Sequence, residues 1–352
     1  MSRSLWTNIE IEGATKAHTD GRKWSAAGVS IDSRKVQPKD IFIAFRGSRV
    51  DGHCYVADAF EKGAAAAIVE RKIDGLSEES PVLIVANVQK ALVQIACLAR
   101  KRSEAKFVAV TGSVGKTSSK NLLAKALAQF DSVHATIGNL NNHIGAPLSL
   151  ARLNGSSRFA VFELGMNNTG EIAFLSNLIR PKVALITNVH GVHLEQLKTE
   201  RAIAEAKAEI FNGLLENGSV VLNQDNPWID FLKSRAEKKG IKNIITFGED
   251  KKSDVQLLEW QPGEGKSFVK IQLKNEAHQY VLSETGKHRA LNSVGVLAVV
   301  HALGLDIQHA AKCFKSISTP VGRGGQKHIN LTTKETFCLV DESYNASPVA
   351  MK

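Results

Sequence analysis

The sequence predicts an α/β protein, with a small N-terminal α/β domain followed by a central domain that contains a mainly parallel sheet flanked by helices. From Phe107 onward, short apolar strands alternate with helical patterns, which is typical of parallel sheets with helical crossovers. A glycine-rich turn joins one of these strands to the next helix. The chain has 352 residues, which is longer than a domain with a single hydrophobic core usually is, so two or three domains are expected.

The N-terminal domain is predicted over residues 1–104. It contains a helical pattern near 55–62 and apolar strands at 41–45, 65–69 and 82–86. The charged stretch at 100–106 comes just before the next apolar run and marks the boundary. The central domain is expected over 105–320. Residues 321–352 are expected to begin a third domain that is largely absent.

The central domain carries the strand and helix alternation. Its predicted strands lie at 107–110, 159–162, 183–186 and 220–222, and its predicted helices at 121–130, 171–179 and 202–215. A less regular β-rich stretch at 244–282 and a helix at 290–303 follow. In such sheets ligands bind at the carboxyl ends of the strands, so the segments that follow the strands are the places to look for a site.

Composition and charge describe an ordinary globular chain. It is 43% hydrophobic and 23% charged, and it has no apolar run of the ~20 residues that cross a bilayer. A cytoplasmic monomer without membrane insertion is expected. The four cysteines lie far apart, which favours reduced thiols. The net charge is +10 but the Lys and Arg are scattered, so small polyanionic substrates are favoured over nucleic acid as partners.

The stretch TGSVGKTSSK at 111–120 predicts a nucleotide-phosphate site in a P-loop-type sheet. A turn of this kind aims backbone N–H groups and the positive end of a helix dipole at an anion. Lys116 would reach the β- and γ-phosphates, and the Thr117 hydroxyl would bind Mg²⁺. Val110 stands where the usual phosphate loop has its first glycine. The candidate ATP-binding residues of the loop are Gly112, Ser113, Val114, Gly115, Lys116, Thr117 and Ser118.

Further candidates follow the next strands. Glu163 comes directly after an apolar strand, where it would supply an oxygen ligand to Mg²⁺, although an exposed or helix-capping glutamate has the same pattern. His190 and His193 follow another strand, and histidines packed at a strand end are the alternative interpretation. Zinc is disfavoured, because no further Cys or His lies at ligand spacing. The pattern around Lys207 is that of a solvated lysine on an amphipathic helix.

Together these motifs resemble the Mur ligases, the ATP-dependent amino-acid-adding enzymes of peptidoglycan synthesis. Five of them occur in the family's order, namely TGSVGKT at 111–117, NLNNHIGAPL at 139–148, ELG at 163–165 with GEI at 170–172, HLE at 193–195 and AKAEIF at 206–211. The stretch DESYNASP at 341–348 is similar to the signature of the branch that adds D-Ala-D-Ala to UDP-MurNAc-tripeptide through an acyl phosphate. The resemblance therefore implies a ligase with roles in cell wall biogenesis, cell shape and cell division.

The resemblance also implies roles for single residues. Lys116, Glu163, His193 and Lys207 would be the catalytic residues, and the metal ligands would be Thr117, Glu163, His193 and Lys207, the last as a carbamate. The nucleotide would also contact Asn292, Arg323 and Asp341, although the family usually has Asn where Arg289 stands. The substrate would be bound by Ser33, Arg34, Gly47, Asn141, Asn142, Asn188 and His190, with Ser33 and Arg34 at its uridine-diphosphate end.

Several alternatives remain open at this stage. The chain could be another Mur-type or a folylpolyglutamate-type ligase, or a nucleotide-binding regulatory protein without ligation chemistry. A nucleic-acid-binding ATPase is suggested by charge alone. In the family a Rossmann-type domain follows the stretch at 341–348, closes over ATP and helps to bind the incoming amino acid or dipeptide. Because the sequence ends shortly after that stretch, the chain alone is expected to ligate poorly.

Overall fold

The computed structural model describes residues 4–191, 197–317, 322, 325–330, 336–341 and 343. The chain forms two compact units. The first contains Met1–Ala105 and Thr136–Arg158, and the second contains Lys106–Ala135 and Phe159–Lys352. Among the described residues, no helix combines the length and the apolar character that a membrane span requires.

The elements up to residue 158 are, in chain order, β1 (Trp6–Thr7), α1 (Asn8–Thr15), β2 (Ser25–Ala26), β3 (Gly28–Ser30), β4 (Asp40–Ile43), α2 (Val56–Glu61), β5 (Ala66–Val69), β6 (Val82–Ile84), α3 (Val88–Arg102), β7 (Lys106–Thr111), α4 (Lys116–Leu127), β8 (Val133–Ala135) and α5 (Gly145–Ala151).

The later elements are β9 (Phe159–Glu163), α6 (Glu171–Ile179), β10 (Val183–Ile186), α7 (Glu200–Ala208), β11 (Ser219–Asn223), α8 (Ile229–Lys238), β12 (Asn243–Gly248), β13 (Val255–Gly263), β14 (Lys266–Leu273), β15 (Glu276–Leu282), α9 (Lys287–Ala302), α10 (Ile307–Ala311), β16 (Gly325–Asn330) and β17 (Thr336–Asp341). Short 3₁₀ segments lie at Ser33–Lys35, Gly52–Tyr55, Glu209–Gly213 and Lys312–Ser316.

The first unit contains a four-stranded parallel sheet in the order β3-β4-β5-β6. β4 and β5 are buried along their whole length, as expected of parallel strands that are covered on both faces. Helix α1 begins with a capping box, in which the Thr7 side chain accepts the N–H of Glu10 and the Glu10 carboxylate accepts the N–H of Thr7. The Asn87 side chain caps α3 by accepting the N–H of Lys90.

The second unit contains a nine-stranded sheet in the order β15-β14-β13-β12-β11-β10-β7-β9-β8. The strands from β8 to β13 pair in parallel, whereas β13, β14 and β15 form an antiparallel meander. The predicted α/β class with a mainly parallel sheet is therefore confirmed. The predicted β-rich stretch at 244–282 corresponds to β12 and this meander.

The strand register brings three loops to one edge of the sheet. Val110 of β7 lies opposite Glu163 of β9, and Thr111 lies opposite Ile186 of β10. The segments that follow these three strands therefore leave the sheet side by side at its carboxyl edge. Helix α4 starts from this edge, and α9 packs against α4 on one face of the sheet.

Two helices differ from the sequence expectation. α4 begins at Lys116 rather than at 121, because Gly115 adopts the left-handed conformation that ends the loop and starts the helix. The pattern at 202–215 divides into α7 and the 3₁₀ segment Glu209–Gly213. This segment packs closely on α6, since a Cβ on Gly213 would lie 1.9 Å from the Ser176 carbonyl oxygen.

Candidate functional site

The phosphate loop connects the end of β7 to the start of α4, and two of its glycines have positive φ angles. Gly112 has φ 154° and Gly115 has φ 81°. A Cβ on Gly112 would lie 1.9 Å from Thr187 Oγ1, and one on Gly115 would lie 2.8 Å from the side-chain amide atoms of Asn292. Both positions therefore require glycine, because of the backbone conformation and because of the close neighbours.

The segment after β10 holds this loop in shape. The Ser113 N–H donates to the Asn188 carbonyl oxygen (3.1 Å), and the Val114 N–H donates to Asn188 Oδ1 (3.0 Å). The Thr187 hydroxyl donates to the Val114 carbonyl oxygen at 2.7 Å. Ser113 Oγ donates to the His190 carbonyl oxygen and accepts the His190 N–H, each at 2.9 Å. Asn188 and His190, which we predicted as substrate residues, thus support the loop.

The Lys116 side chain folds back across the loop that precedes it. Its Nζ donates to the Gly112 carbonyl oxygen at 2.7 Å and to the Ser113 carbonyl oxygen at 3.3 Å. Thr117 and Ser118 follow in the first turn of α4, and both are partly exposed. Lysine, hydroxyl groups and the N–H groups of the helix start therefore lie together, as phosphate binding requires.

Two buried ionisable side chains lie close to this loop. Glu163 ends β9, the strand beside β7, and is 2% exposed. Lys207 lies in the last turn of α7 and is also 2% exposed. Burial, with a contribution from the positive charge of Lys116, holds the pKa of Lys207 well below its ordinary value. Lys207 is thus a buried amine near the phosphate loop, and not the solvated lysine that its helical pattern indicates.

Glu163 and Thr117 offer the donor chemistry that suits Mg²⁺. Carboxylate and hydroxyl oxygens, completed by phosphate oxygens and water, are the ligands this ion prefers. Within the described residues, no three or more His, Cys, Asp or Glu side chains converge as a metal cluster. His193, the other expected ligand, lies outside those residues. The residues present therefore fit an ion that is bound together with a nucleotide.

A cavity of about 340 Å³ lies beside the first turns of α4. Its lining residues are Ser118, Asn121, Leu122, Ala124, Lys125, Glu284 and Ile317. Arg289 on α9 donates to Ser118 Oγ (3.0 Å) and to Glu284 Oε1 (3.2 Å), and the side chains of this ion pair are only 8% and 10% exposed. Arg289 and Asn292 of α9 are thus both in contact with the phosphate-loop region.

The predicted substrate residues Ser33, Arg34 and Gly47 of the first unit each take part in hydrogen bonds within that unit. Arg34 makes two bonds of 2.9 Å to the Asp32 carboxylate, which lower the pKa of Asp32. Lys62 Nζ donates to the Ser33 carbonyl oxygen at 2.8 Å. The Gly47 N–H donates to the Val50 carbonyl oxygen at 2.8 Å.

Asn141 and Asn142, two further predicted substrate residues, lie just before α5 in the first unit. The Asn142 side-chain oxygen accepts the N–H groups of Ile144 and Gly145, at 3.2 and 2.8 Å, and so stabilises the start of that helix. The Asn141 N–H donates to the Asn139 carbonyl oxygen at 2.7 Å. Asn142 therefore has a structural task beside the substrate contact that we predicted for it.

The C-terminal candidates are described only in part. Asp341 ends β17, and its Oδ1 accepts the N–H and the hydroxyl group of Ser343 at 3.1 and 2.6 Å. Arg323 and the stretch at 344–348 lie outside the described residues. Sequence reasoning did not single out Thr187 or Glu284 as supporting residues. Thr187 directly follows an apolar strand, which is a usable signal, whereas nothing in the local pattern around Glu284 distinguishes it.

Comparison with known proteins agrees with this geometry. Residues 110–300 match the Mur ligase middle domain, and residues 25–100 match the Mur ligase family catalytic domain. The chain is 37% identical over 325 residues to the UDP-N-acetylmuramoyl-tripeptide–D-alanyl-D-alanine ligase of Rickettsia prowazekii, which covers 92% of this chain and 71% of that protein. The ligase of the same name from Bacillus subtilis is 32% identical, over 100% of this chain and 74% of that protein.

Solved structures give the same result. MurF from Acinetobacter baumannii superposes with a TM-score of 0.86 at 30% identity, covering 98% of this chain and 74% of that one. MurF from Thermotoga maritima in complex with ADP superposes with a TM-score of 0.76 at 31% identity, covering 92% and 72%. With a domain match over more than half of its length and relatives of this identity and coverage, the chain belongs to the Mur ligase family.

Proposed function

We infer that the chain catalyses ATP-dependent amide bond formation, adding D-Ala-D-Ala to UDP-MurNAc-tripeptide in peptidoglycan precursor synthesis. The main support for this function is the phosphate loop, which leaves a parallel sheet beside the buried Glu163. The chain is also 37% identical to a ligase of this name. Thermotoga maritima MurF, of similar fold, was solved with ADP, which supports ATP as the co-substrate.

The reaction explains why such a loop is needed. A carboxylate is a poor electrophile, so one of its oxygens first attacks the γ-phosphorus of ATP, giving an acyl phosphate and ADP. The amine of the incoming dipeptide then attacks the acyl carbon, and inorganic phosphate leaves as the tetrahedral intermediate collapses. Negative charge develops on phosphoryl oxygens during the first step, and Lys116 and the N–H groups at the start of α4 would stabilise it.

Thr117 and Glu163 would hold Mg²⁺ beside the phosphates, with His193 as a ligand to a second ion. Bound there, Mg²⁺ would neutralise phosphate charge. The lowered pKa of Lys207 favours a neutral amine. Its nitrogen can add to the carbon of CO₂ and lose a proton, which creates a carbamate with two oxygens. In that form Lys207 would be an oxygen ligand as well.

The remaining assignments complete the proposal. Residues 1–104 would bind the uridine diphosphate through Ser33, Arg34 and Gly47. Residues 105–320 would bind ATP, assisted by Asn292, Arg323 and Asp341, and 321–352 would begin the third domain. Asn141, Asn142, Asn188 and His190 would contact the rest of the substrate. The protein would act as a monomer in the cytoplasm.

Calorimetry with the full chain tests the proposal. UDP-MurNAc-tripeptide is titrated with and without a non-hydrolysable ATP analogue, and binding of both ligands is expected. A chain that binds the nucleotide but none of the UDP-sugar peptide would instead be a regulatory protein. ADP release with D-Ala-D-Ala is then compared with release in the presence of single amino acids. A preference for a single amino acid would indicate another branch of the family.

A further inference from the structure

Glu163 and Lys207 reach the phosphate loop from different parts of the chain. Glu163 ends β9, and Lys207 lies near the end of α7, more than forty residues later. α6 begins at Glu171, eight residues after Glu163, and the 3₁₀ segment Glu209–Gly213 begins two residues after Lys207. The contact between α6 and this segment therefore affects how the two buried groups lie relative to each other.

The Glu209 carboxylate makes the first part of that contact. Its Oε1 accepts the N–H of Gly170 at 2.7 Å, and its Oε2 accepts the N–H of Ala173 at 3.1 Å. Gly170 is the N-cap of α6, so both N–H groups are among those that have no partner within the helix. A negative carboxylate at this end of the helix is also favoured by the helix dipole.

A second set of bonds lies one turn further along α6. Ser176 Oγ donates to the Ile210 carbonyl oxygen at 2.5 Å and accepts the Gly213 N–H at 3.1 Å. Ser176 is fully buried, and Gly213 packs directly on its backbone. Two sets of bonds thus fix the 3₁₀ segment to α6. The set made by Glu209 lies at the start of the helix, where the chain arrives from Glu163.

The chain that leads from Glu163 to the start of α6 is fixed to the phosphate-loop strand. The Leu164 N–H donates to the Val110 carbonyl oxygen at 2.8 Å. Thr111 Oγ1 donates to the Leu164 carbonyl oxygen at 2.9 Å. β7 therefore holds the chain directly after Glu163, and Glu209 holds the same stretch of chain where it enters α6.

We propose that Glu209 is a positioning residue, which fixes Lys207 relative to Glu163 by holding the first turn of α6. Its two carboxylate oxygens set the distance between the end of β9 and the end of α7. The spacing of the groups that would hold Mg²⁺ beside a nucleotide depends on that distance. The inference rests on the proposed function, because it concerns the same nucleotide site.

The test is ADP binding by the full chain, measured by calorimetry with and without Mg²⁺. Glu209→Gln keeps the shape of the side chain, but its amide nitrogen cannot accept an N–H, so one of the two bonds is lost. The Mg²⁺ effect is the ratio of the ADP affinity with Mg²⁺ to the affinity without it. We expect this ratio to be about 10-fold smaller in the variant than in the wild type, which is the scale found for residues that orient metal ligands. Its affinity for ADP without Mg²⁺ should remain at the wild-type value.

Glu171→Gln is the matched control. Glu171 lies in the first turn of the same helix, and its carboxylate accepts the Asn167 N–H (2.7 Å) and the Asn168 side-chain N–H (3.0 Å). The control removes the same charge from the same helix end and should leave the Mg²⁺ effect unchanged. If Glu209→Gln does not fold, Glu209→Asp, which keeps the charge on a shorter side chain, takes its place and should also reduce the Mg²⁺ effect.

The outcomes separate the two proposals. A Glu209 variant with a wild-type Mg²⁺ effect would overturn the inference. So would an equal loss with and without Mg²⁺, because that result indicates general damage to the loop. If the wild-type protein itself binds no ADP, the proposed function fails instead.

Discussion

At the scale of single residues, the candidate site is built from side chains whose surroundings change their chemistry. Lys207 is a buried amine with a strongly lowered pKa, and Lys116 is tied to two carbonyl oxygens of its own loop. Gly112 and Gly115 have conformations and neighbours that leave no room for a side chain. Each of these features gives a substitution a definite expected effect.

Lys116→Ala should weaken ADP binding by about 10- to 100-fold, because hydrogen bonds to charged groups contribute about 1.5 to 3 kcal/mol. Binding of UDP-MurNAc-tripeptide should persist, since we assign its uridine-diphosphate end to Ser33, Arg34 and Gly47 of the first unit. Calorimetry with each ligand measures both effects. Loss of both affinities in a variant that still folds would contradict this division of roles.

Gly112→Ala should disturb the loop without any change of charge. The new Cβ would collide with Thr187 Oγ1, and the backbone strain alone costs about 1 to 3 kcal/mol. We expect lower stability in urea and weaker ADP binding. Gly13→Ala is the control, because Gly13 lies in α1 with no atom within 4 Å of its added Cβ. That variant should gain about 0.5 to 1 kcal/mol of stability.

At the scale of elements, helices and short turns are fixed by buried or charge-assisted bonds. Arg289 of α9 reaches Ser118 of α4 and Glu284, and so links the phosphate-loop helix to α9 and to the segment after β15. In the first unit, Asp51 is the N-cap of the 3₁₀ segment Gly52–Tyr55 and accepts the N–H of His53.

Arg289→Ala should lower the free energy of unfolding by about 3 to 5 kcal/mol, because it leaves the Glu284 carboxylate, whose side chain is only 10% exposed, without this cation. The double variant Arg289→Ala with Glu284→Gln should lose less, since the uncompensated charge is gone. Denaturant unfolding of the two variants makes the comparison. If the single and double variants are equally stable, the charge of Glu284 does not depend on Arg289 for its stabilisation, and this prediction is wrong.

Asp51 should make the stability of the first unit depend on acidic pH. Its bonds to the backbone and side chain of His53, and to Arg71, lower the pKa of Asp51 from 3.8 to about 2. A lowered pKa means that this stabilisation is fully present above pH 4 and is lost as the pH falls toward 2. Unfolding midpoints between pH 6 and 2 should therefore fall more steeply for the wild type than for Asp51→Asn. Parallel curves would refute this assignment.

At the scale of the whole molecule, local patterns predicted much of the fold. The phosphate loop could be located because an apolar strand, two glycines and a helix follow one another in sequence, and the parallel sheet because its strands are apolar throughout. The burial of Lys207 could not be predicted, because its helix is amphipathic in pattern and the burying partners come from distant segments. The grouping of 136–158 with the first unit also depends on contacts between distant residues, which periodicity does not report.

The bonds from Lys116 to the carbonyl oxygens of Gly112 and Ser113 have a consequence for how fast a nucleotide is captured. They hold the turn in one shape, so an arriving phosphate group has little chain to organise. It must instead exchange places with two internal acceptors before the ammonium group can turn toward it. Capture would then proceed in two stages, a quick encounter followed by this exchange, and the second stage would set a ceiling on the association rate at high nucleotide concentration.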